Sequence, residues 1–236
     1  SKFLNDIEDR EDEGSIAIDA DSLLYSSCYY LRDNFNLELA YLNFCERIGT
    51  IRTECYTKVS KLNELKILFT SKTNFRYKIF PEYKATRTKA ISDTMTEKQK
   101  VAAEESIRLR AYTKQLKELV YERLRPIVEA SSVWEADDLA IQYADKGWMV
   151  SAFDKDVVNA CRTPCFNYKK AEWYKPNTNA DIHRWYLIQS IAGDSADGFK
   201  GAKGLGISAK PPYKGKAVDF VDKLLSGEKT YEEYID

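Results

Sequence analysis

The sequence predicts an α/β fold, a central and mostly parallel sheet flanked by helices. Three short apolar runs carry this: SIAID (Ser15–Asp19), KILFT (Lys66–Thr70) and WMVSAF (Trp148–Phe153) alternate with longer stretches of helical apolar spacing. Strands that alternate with helices build parallel sheets. The chain has 236 residues, 44% hydrophobic and 13% aromatic, enough for a sizeable core. Acidic residues follow the first and third runs closely, and sheets of this kind bind ligands beyond the carboxyl ends of their strands.

Taken in order, residues 1–14 form a charged, acidic lead-in, unlike a signal or transit peptide. Ser15–Asp19 is the first strand. Apolar residues at mixed three and four spacing (Leu39, Leu42, Ile48, Ile51, Val59, Leu62) predict a helix over Leu37–Asn63, and Lys66–Thr70 is the second strand. Thr94-x-x-Glu97 has the capping-box pattern and opens a helix through Leu109, Leu116, Val120 and Leu124, which Pro126 ends. Ile127–Ala130 is a short strand, Ala136–Asp145 a helix, Trp148–Phe153 a buried strand and Asp181–Ala192 a helix. The stretch GDSADGFKGAKGLGISAK is glycine-rich and predicts loops between short helices. No repeat or low-complexity linker interrupts the chain, and no apolar run reaches the roughly 20 residues of a membrane helix.

Net charge is −1, but its distribution is uneven. Lys58–Lys89 holds nine basic residues against Glu64 and Glu82, and Lys200–Lys216 holds five lysines and no acid. Basic grips around an acidic centre suit a nucleic-acid partner. The five cysteines include no CxxC pair, which predicts free thiols in a reducing compartment. His183, the only histidine, lies in a helical stretch with no triad partner, so no Ser/His/Asp or Cys/His nucleophile can be assembled.

Four acidic groups recur at comparable places. Asp19 and Asp21 follow the first strand, Glu135, Asp137 and Asp138 sit where WEADDLA enters a helix, Asp154 and Asp156 follow WMVSAF, and Asp194 and Asp197 open the glycine-rich stretch. Residues i and i+2 of an extended chain share a face, so Asp154 and Asp156 can converge. Carboxylates gathered in one cavity repel unless cations neutralise them. Hard oxygen ligands select Mg²⁺ or Mn²⁺, and two such ions can activate a water and stabilise a leaving oxygen in phosphodiester hydrolysis. The competing reading is that loop acids cap helices and face solvent.

The segments AIDADSLLY, LFTSKTNFR, PEYKATR, WEADDLA, SAFDKD and IAGDSADGFKGAKGLGISAK together resemble the bacteriophage 5′→3′ exonuclease and flap endonuclease family. The likeness is greatest to the T-odd phage exonucleases, and the family is related to the 5′-nuclease domain of bacterial DNA polymerase I. It spans about Ile16 to Lys210. It implies a PIN-like 5′-nuclease fold with a helical arch and a C-terminal helix–hairpin–helix-type region. The nuclease core would cover residues 15–175, with the arch at about 76–125, and the DNA-binding region residues 176–236. It implies two Mg²⁺ (or Mn²⁺) held by Asp19, Glu135, Asp137, Asp138, Asp154, Asp156, Asp194 and Asp197. Lys84, Arg87 and Arg76 would steady the scissile phosphate, and Tyr83 would either stack on a nucleobase or pack as a core or partly buried tyrosine. Lys200, Gly201, Lys203, Gly204, Gly206, Ser208 and Lys210 would grip one DNA strand through amides and charge, with a K⁺ at the hairpin loop. Such contacts are independent of sequence and sensitive to salt.

The implied activity is hydrolysis of DNA from 5′ ends and at 5′ flaps, with RNA–DNA hybrids as further substrates. A monomer in the host cytoplasm, acting in phage replication, genome degradation or recombination, completes the picture. One position departs from the family: where an Asp usually follows the second strand, this chain has Ser71, a far weaker Mg²⁺ ligand. Asp21 or a water could compensate. The rival readings are a structure-specific DNA-binding protein with impaired catalysis and a PIN-type ribonuclease. The chain also ends sooner after the hairpin region than the family leads one to expect.

Overall fold

Alternate apolar residues of the first strand point to opposite sides of one sheet, as the pleat requires. This arrangement organises the computed structural model, which describes residues 10–85, 92, 94–208, 210–228 and 230. The strands are β1 (Glu11–Asp19), β2 (Val59–Thr70), β3 (Val128–Ser131), β4 (Met149–Ser151), β5 (Cys165–Asn167), β6 (Glu172–Tyr174), β7 (Gly193–Asp194) and β8 (Phe199–Lys200). The helices are α1 (Asp21–Tyr29), α2 (Leu37–Cys55), α3 (Arg76–Ile79), α4 (Glu97–Leu124), α5 (Ala136–Asp145), α6 (Lys155–Ala160), α7 (Asn179–Ala192) and α8 (Lys216–Ser226). Two compact units result, Ser1–Phe75 with Ala90–Pro176, and Arg76–Lys89 with Asn177–Asp236.

The first unit holds a six-stranded sheet in the order β3-β2-β1-β4-β5-β6. Its first five strands are parallel, and β6 runs antiparallel to β5. Ile16, Ile18, Ile67 and Phe69 face one side, where Leu23 and Leu24 of α1, Phe44 and Ile48 of α2 and Leu109, Leu116 and Val120 of α4 bury them. Ala17, Leu68 and Val150 face the other side, under Leu139 and Tyr143 of α5 and Val157 of α6. The sheet is therefore covered on both faces, which explains its continuous apolar runs. From β1 the chain steps to β2 and β3 on one side, then returns to β4 and β5 on the other. The β1/β4 boundary is the topological switch point, where such folds open a ligand crevice.

The apolar spacing over Leu37–Asn63 predicts one helix, but α2 ends at Cys55, and Val59 and Leu62 belong to β2. Pairing decides this: β2 lies beside β1 from Glu11↔Val59 to Asp19↔Leu68. The long helix α4 begins at Glu97 rather than at Thr94. Thr96 is extended there, its hydroxyl accepts the Gln99 N–H, and Gln99 reaches back to the Thr96 N–H. Within the stretch 76–125, expected as an arch, Arg76–Lys89 groups with the second unit. The first turns of α4, before Leu109, bury no side chain, whereas the remainder is seated on the first core.

In the second unit, α7 and α8 pack through Trp185, Ile188, Val218, Phe220 and Val221. The hairpin β7–β8 follows α7 directly. Among the described residues no helix is long and apolar enough to cross a membrane.

Candidate functional site

At the carboxyl end of β1, Asp19 stands at the switch point, half-buried and paired in register with Leu68 of β2. Removal from water pushes its carboxyl well above the usual range, and the negative charges of Asp21, Asp137 and Asp154 push it further. These four acids come from the ends of β1, β4 and the start of α5, and they are electrostatic neighbours. The Tyr168 hydroxyl donates to the Asp19 carbonyl at 3.3 Å.

The start of α5 brings three acids with distinct roles. Glu135, only 3% exposed, accepts a hydrogen bond from the Asn74 amide at 2.8 Å. Asp138 closes a capping box by accepting the Glu135 N–H at 3.0 Å. Asp137 accepts the Asp138 N–H at 2.9 Å and is the member of the three that acts on Asp19. Asn74 is itself buried, and no motif in the sequence singles it out as the partner of Glu135.

Asp154 and Asp156 do not share a face of an extended strand. The chain turns into α6 at Lys155, Asp154 caps that helix by accepting the Asp156 N–H at 2.8 Å, and Asp156 pairs with Lys155. Only Asp154 of the two acts on Asp19. A capping carboxylate keeps lone pairs for other partners, so capping and cation binding are compatible.

Ser71 is a structural tie. Its hydroxyl lies 2.7 Å from the Thr73 carbonyl and 2.5 Å from the Ser131 carbonyl, donating across the ends of β2 and β3. Asp21 is committed as well, since its Oδ2 accepts the Thr70 N–H at 3.1 Å and its Oδ1 lies 3.9 Å from the Lys117 ammonium. Burial pushes the Asp21 carboxyl up against the pull of Lys117, and burial likewise draws the Lys117 ammonium down. Lys117 was not evident from sequence because it sits on a helix 47 positions from Thr70, whose carbonyl it also meets.

The donor set of Asp19, Glu135, Asp137 and Asp154 is all carboxylate oxygen, the chemistry that hard divalent cations prefer. The upward push on Asp19, caused first by burial and then by three neighbouring carboxylates, is one that a cation would relieve. As the side chains stand, no three His, Cys, Asp or Glu groups among the described residues are gathered closely enough to chelate one ion. Ligation would therefore draw in side chains that now serve as caps.

The second unit carries the other sequence candidates. Asp194 bends the hairpin loop, its Oδ1 accepting N–H groups of Ala196 at 2.8 Å and Asp197 at 3.3 Å. The Asp197 carbonyl accepts the Lys84 N–H at 3.1 Å, and its Oδ2 accepts the Tyr83 hydroxyl at 3.2 Å. Lys84 takes the left-handed conformation at φ 56°, a costly one for a residue with a Cβ. Tyr83 is 7% exposed and packed edge-on against Tyr77, with Lys84 and Arg76 over its ring. Its ring packs within this unit. Arg87 lies outside the described residues.

In the glycine-rich stretch, Lys200, Lys203, Gly204, Gly206 and Lys210 are exposed. A Cβ on Gly201 would stand 2.2 Å from the Ala192 carbonyl group, so only glycine fits beside the end of α7. Gly204 has φ 79°. Ser208 accepts the Lys214 N–H and donates to the Lys210 carbonyl, each at 3.0 Å, closing the loop that precedes α8.

No protein-family model matches the sequence, and no curated protein does. Solved structures match in fold. A bacteriophage T5 5′-exonuclease with bound zinc ions aligns at TM-score 0.59 and 18% identity, covering 90% of this chain and 75% of that one. A bacteriophage T5 flap endonuclease complex with DNA and metal ions aligns at TM-score 0.58 and 18% identity, with the same coverage. A T5 protein co-crystallised with metal ions aligns at TM-score 0.56 and 17% identity, covering 90% and 74%. The chain thus has the mixed α/β fold of the phage T5 5′-nuclease structures, with its six-stranded, mostly parallel sheet and flanking helices.

Proposed function

We propose that this chain is a metal-dependent 5′→3′ nuclease that hydrolyses DNA phosphodiester bonds at 5′ ends and 5′ flaps. The observation that carries this reading is Asp19 at the sheet's switch point, its carboxyl pushed up by burial and by Asp21, Asp137 and Asp154. The shared fold supports it, because the T5 structures of that fold are described with divalent metal ions and, in one case, DNA.

In this proposal Asp19, Glu135, Asp137, Asp138, Asp154 and Asp156, with Asp194 and Asp197 of the second unit, are the candidate ligands of two Mg²⁺ or Mn²⁺. When bound, these ions would supply Lewis-acid polarisation of the phosphate and of the attacking water. Asn74 holds the Glu135 carboxylate, and Asp154 caps the start of α6. Lys84, Arg76 and Arg87 are proposed to neutralise the charge that develops on the phosphate. The amides and lysines of the loop from Lys200 to Lys210 are proposed to hold the duplex backbone together with a K⁺. RNA–DNA hybrids as substrates, a monomeric state and a cytoplasmic role in phage replication belong to the same proposal.

The test is a cleavage assay on 5′-flap, nicked and single-stranded DNA in Mg²⁺ and in Mn²⁺, with chelator as control. The expected result is divalent-dependent release of 5′ fragments. Tight flap binding without cleavage in either ion would replace this reading by that of a structure-specific binder. Ser71 favours that second reading to the extent that its hydroxyl is spent on backbone carbonyls.

A further inference from the structure

Resting on the metal-site reading above, we propose that Lys117 is a built-in counterion at the end of β2 that keeps Asp21 from binding divalent cations. The ammonium occupies a place made of oxygen donors. It lies 2.5 Å from the Thr70 carbonyl and 3.9 Å from Asp21 Oδ1, and it sits 5.0 Å above the Phe69 ring, which narrows its freedom. Carbonyl and carboxylate oxygens are also the donors that Mg²⁺ and Mn²⁺ take, so a lysine ammonium and a divalent cation compete for one set of atoms.

The other oxygen of Asp21 is held by the Thr70 N–H at 3.1 Å, and the nearby Ser71 hydroxyl is directed into the Ser131 and Thr73 carbonyls. Access does not explain the exclusion. Asp21, Ser71 and Lys117 line an open cavity of about 750 Å³, so a hydrated cation can reach them. Charge is what bars it. Two residues from Asp19, the Lys117–Asp21 pair leaves the adjacent carboxylates as the cation-binding set and trims the negative field by one unit. Lys117 acts through Asp21 and is a positioning residue.

The proposal makes a prediction of sign that a merely structural lysine would not share. Mn²⁺ binding to the full chain, without DNA, is measured by the electron-paramagnetic-resonance signal of free Mn²⁺. Lys117→Met should bind Mn²⁺ at least threefold more tightly, or add a binding equivalent, because Asp21 is left uncompensated. Asp21→Asn should bind it at least threefold more weakly, because the ammonium is then unpaired beside the ligands. The double variant, which removes one charge of each sign, should return to within twofold of the parent.

Unchanged or weaker Mn²⁺ binding in a folded Lys117→Met, or a double variant far from the parent, would overturn the proposal. If Lys117→Met does not fold, Asp21→Asn decides alone, and unchanged or tighter binding there overturns it. Failure of the parent chain to take up Mn²⁺ would instead overturn the metal-site reading and this inference with it.

Discussion

Asp19 and Asp194 look alike in sequence, each an aspartate with another acid two or three residues on, yet their described contacts differ. Asp194 accepts hydrogen bonds from the Ala196 and Asp197 amides of its own loop. Asp19 faces Asp21, two residues on, and Asp137 and Asp154, brought from distant parts of the chain, in a half-buried place that disfavours its charge. An acid satisfied by neighbouring amides folds without help, whereas an acid set against other acids stores repulsion that a cation can release. Being acidic at a strand end is therefore a weak marker of ligation, and being acidic opposite other acids is a strong one.

The sharpest way to break this contrast is Asp19→Asn. A carboxyl raised in the fold favours folding at low pH and loses that advantage as pH climbs from the usual carboxylate range to its raised value. At neutral pH the charged form opposes folding, so the amide should raise the melting temperature in chelator. The rise in melting temperature that Mg²⁺ gives the parent should shrink, and turnover should fall on the order of a thousandfold, or ~4 kcal/mol of transition-state stabilisation. Asp194→Asn should show no gain in chelator. Equal gains at both positions, read by thermal unfolding, would erase the distinction.

In the second region the hairpin junction is set by close backbone approach. Gly201→Ala forces a Cβ to within 2.2 Å of the Ala192 backbone, and a Cβ on Gly193 would likewise meet the Gly201 nitrogen at 2.1 Å. The expected loss is ~3 kcal/mol, seen in denaturant unfolding, with weaker duplex binding. A tolerated alanine would mean that the hairpin junction is looser than its contacts imply.

Ser71→Asp has a smaller expected effect. The serine donates to carbonyls of β3 and of its own turn, and a carboxylate can only accept. Losing that tie and facing two carbonyls should cost about 1–2 kcal/mol, lowering the melting temperature without a gain in turnover. Higher Mg²⁺-dependent turnover at an unchanged melting temperature would put position 71 within reach of an ion and reverse the assignment.

What sequence could convey follows the same division between local and distant causes. Helix α5 matches its expected bounds, Ala136–Asp145, because its cap, acids and apolar face lie within one short window. The apolar parts of β1, β2 and β4 were legible for the same reason. The first half of β2 was not, because Val59 and Leu62 continue a helical spacing and only pairing with β1 makes them strand. The three-residue strands β5 and β6 are too short to show a period. In the site, the acid groups could be named in advance, but their ranking could not. Which of Asp154 and Asp156 acts on Asp19 depends on a helix start, and the commitment of Asp21 depends on Lys117 across the fold. Tyr83 shows the limit from the other side, since the sequence is equally consistent with stacking and with packing.

Tyr83→Phe is the mildest of these changes and the one that sharpens the second region most. It removes only the hydroxyl that donates to Asp197 at 3.2 Å, leaving the ring among Tyr77, Lys84 and Arg76. A part-buried hydrogen bond to a carboxylate is worth about 1 kcal/mol, up to ~3 kcal/mol where the charge is well shielded, so a small drop in melting temperature is expected with DNA affinity unchanged. Tyr83→Leu then separates packing from stacking. If the ring packs, leucine lowers stability, and any loss of DNA affinity is recovered under conditions that restore the folded state. If the ring stacks on a base, affinity falls by ~1–3 kcal/mol at unchanged stability. Because the ring is 7% exposed and its hydroxyl holds an acid of the hairpin loop, the first outcome is the expected one. Tyr83 would then set the position of Asp197 and of the neighbouring Lys84 backbone without contacting DNA.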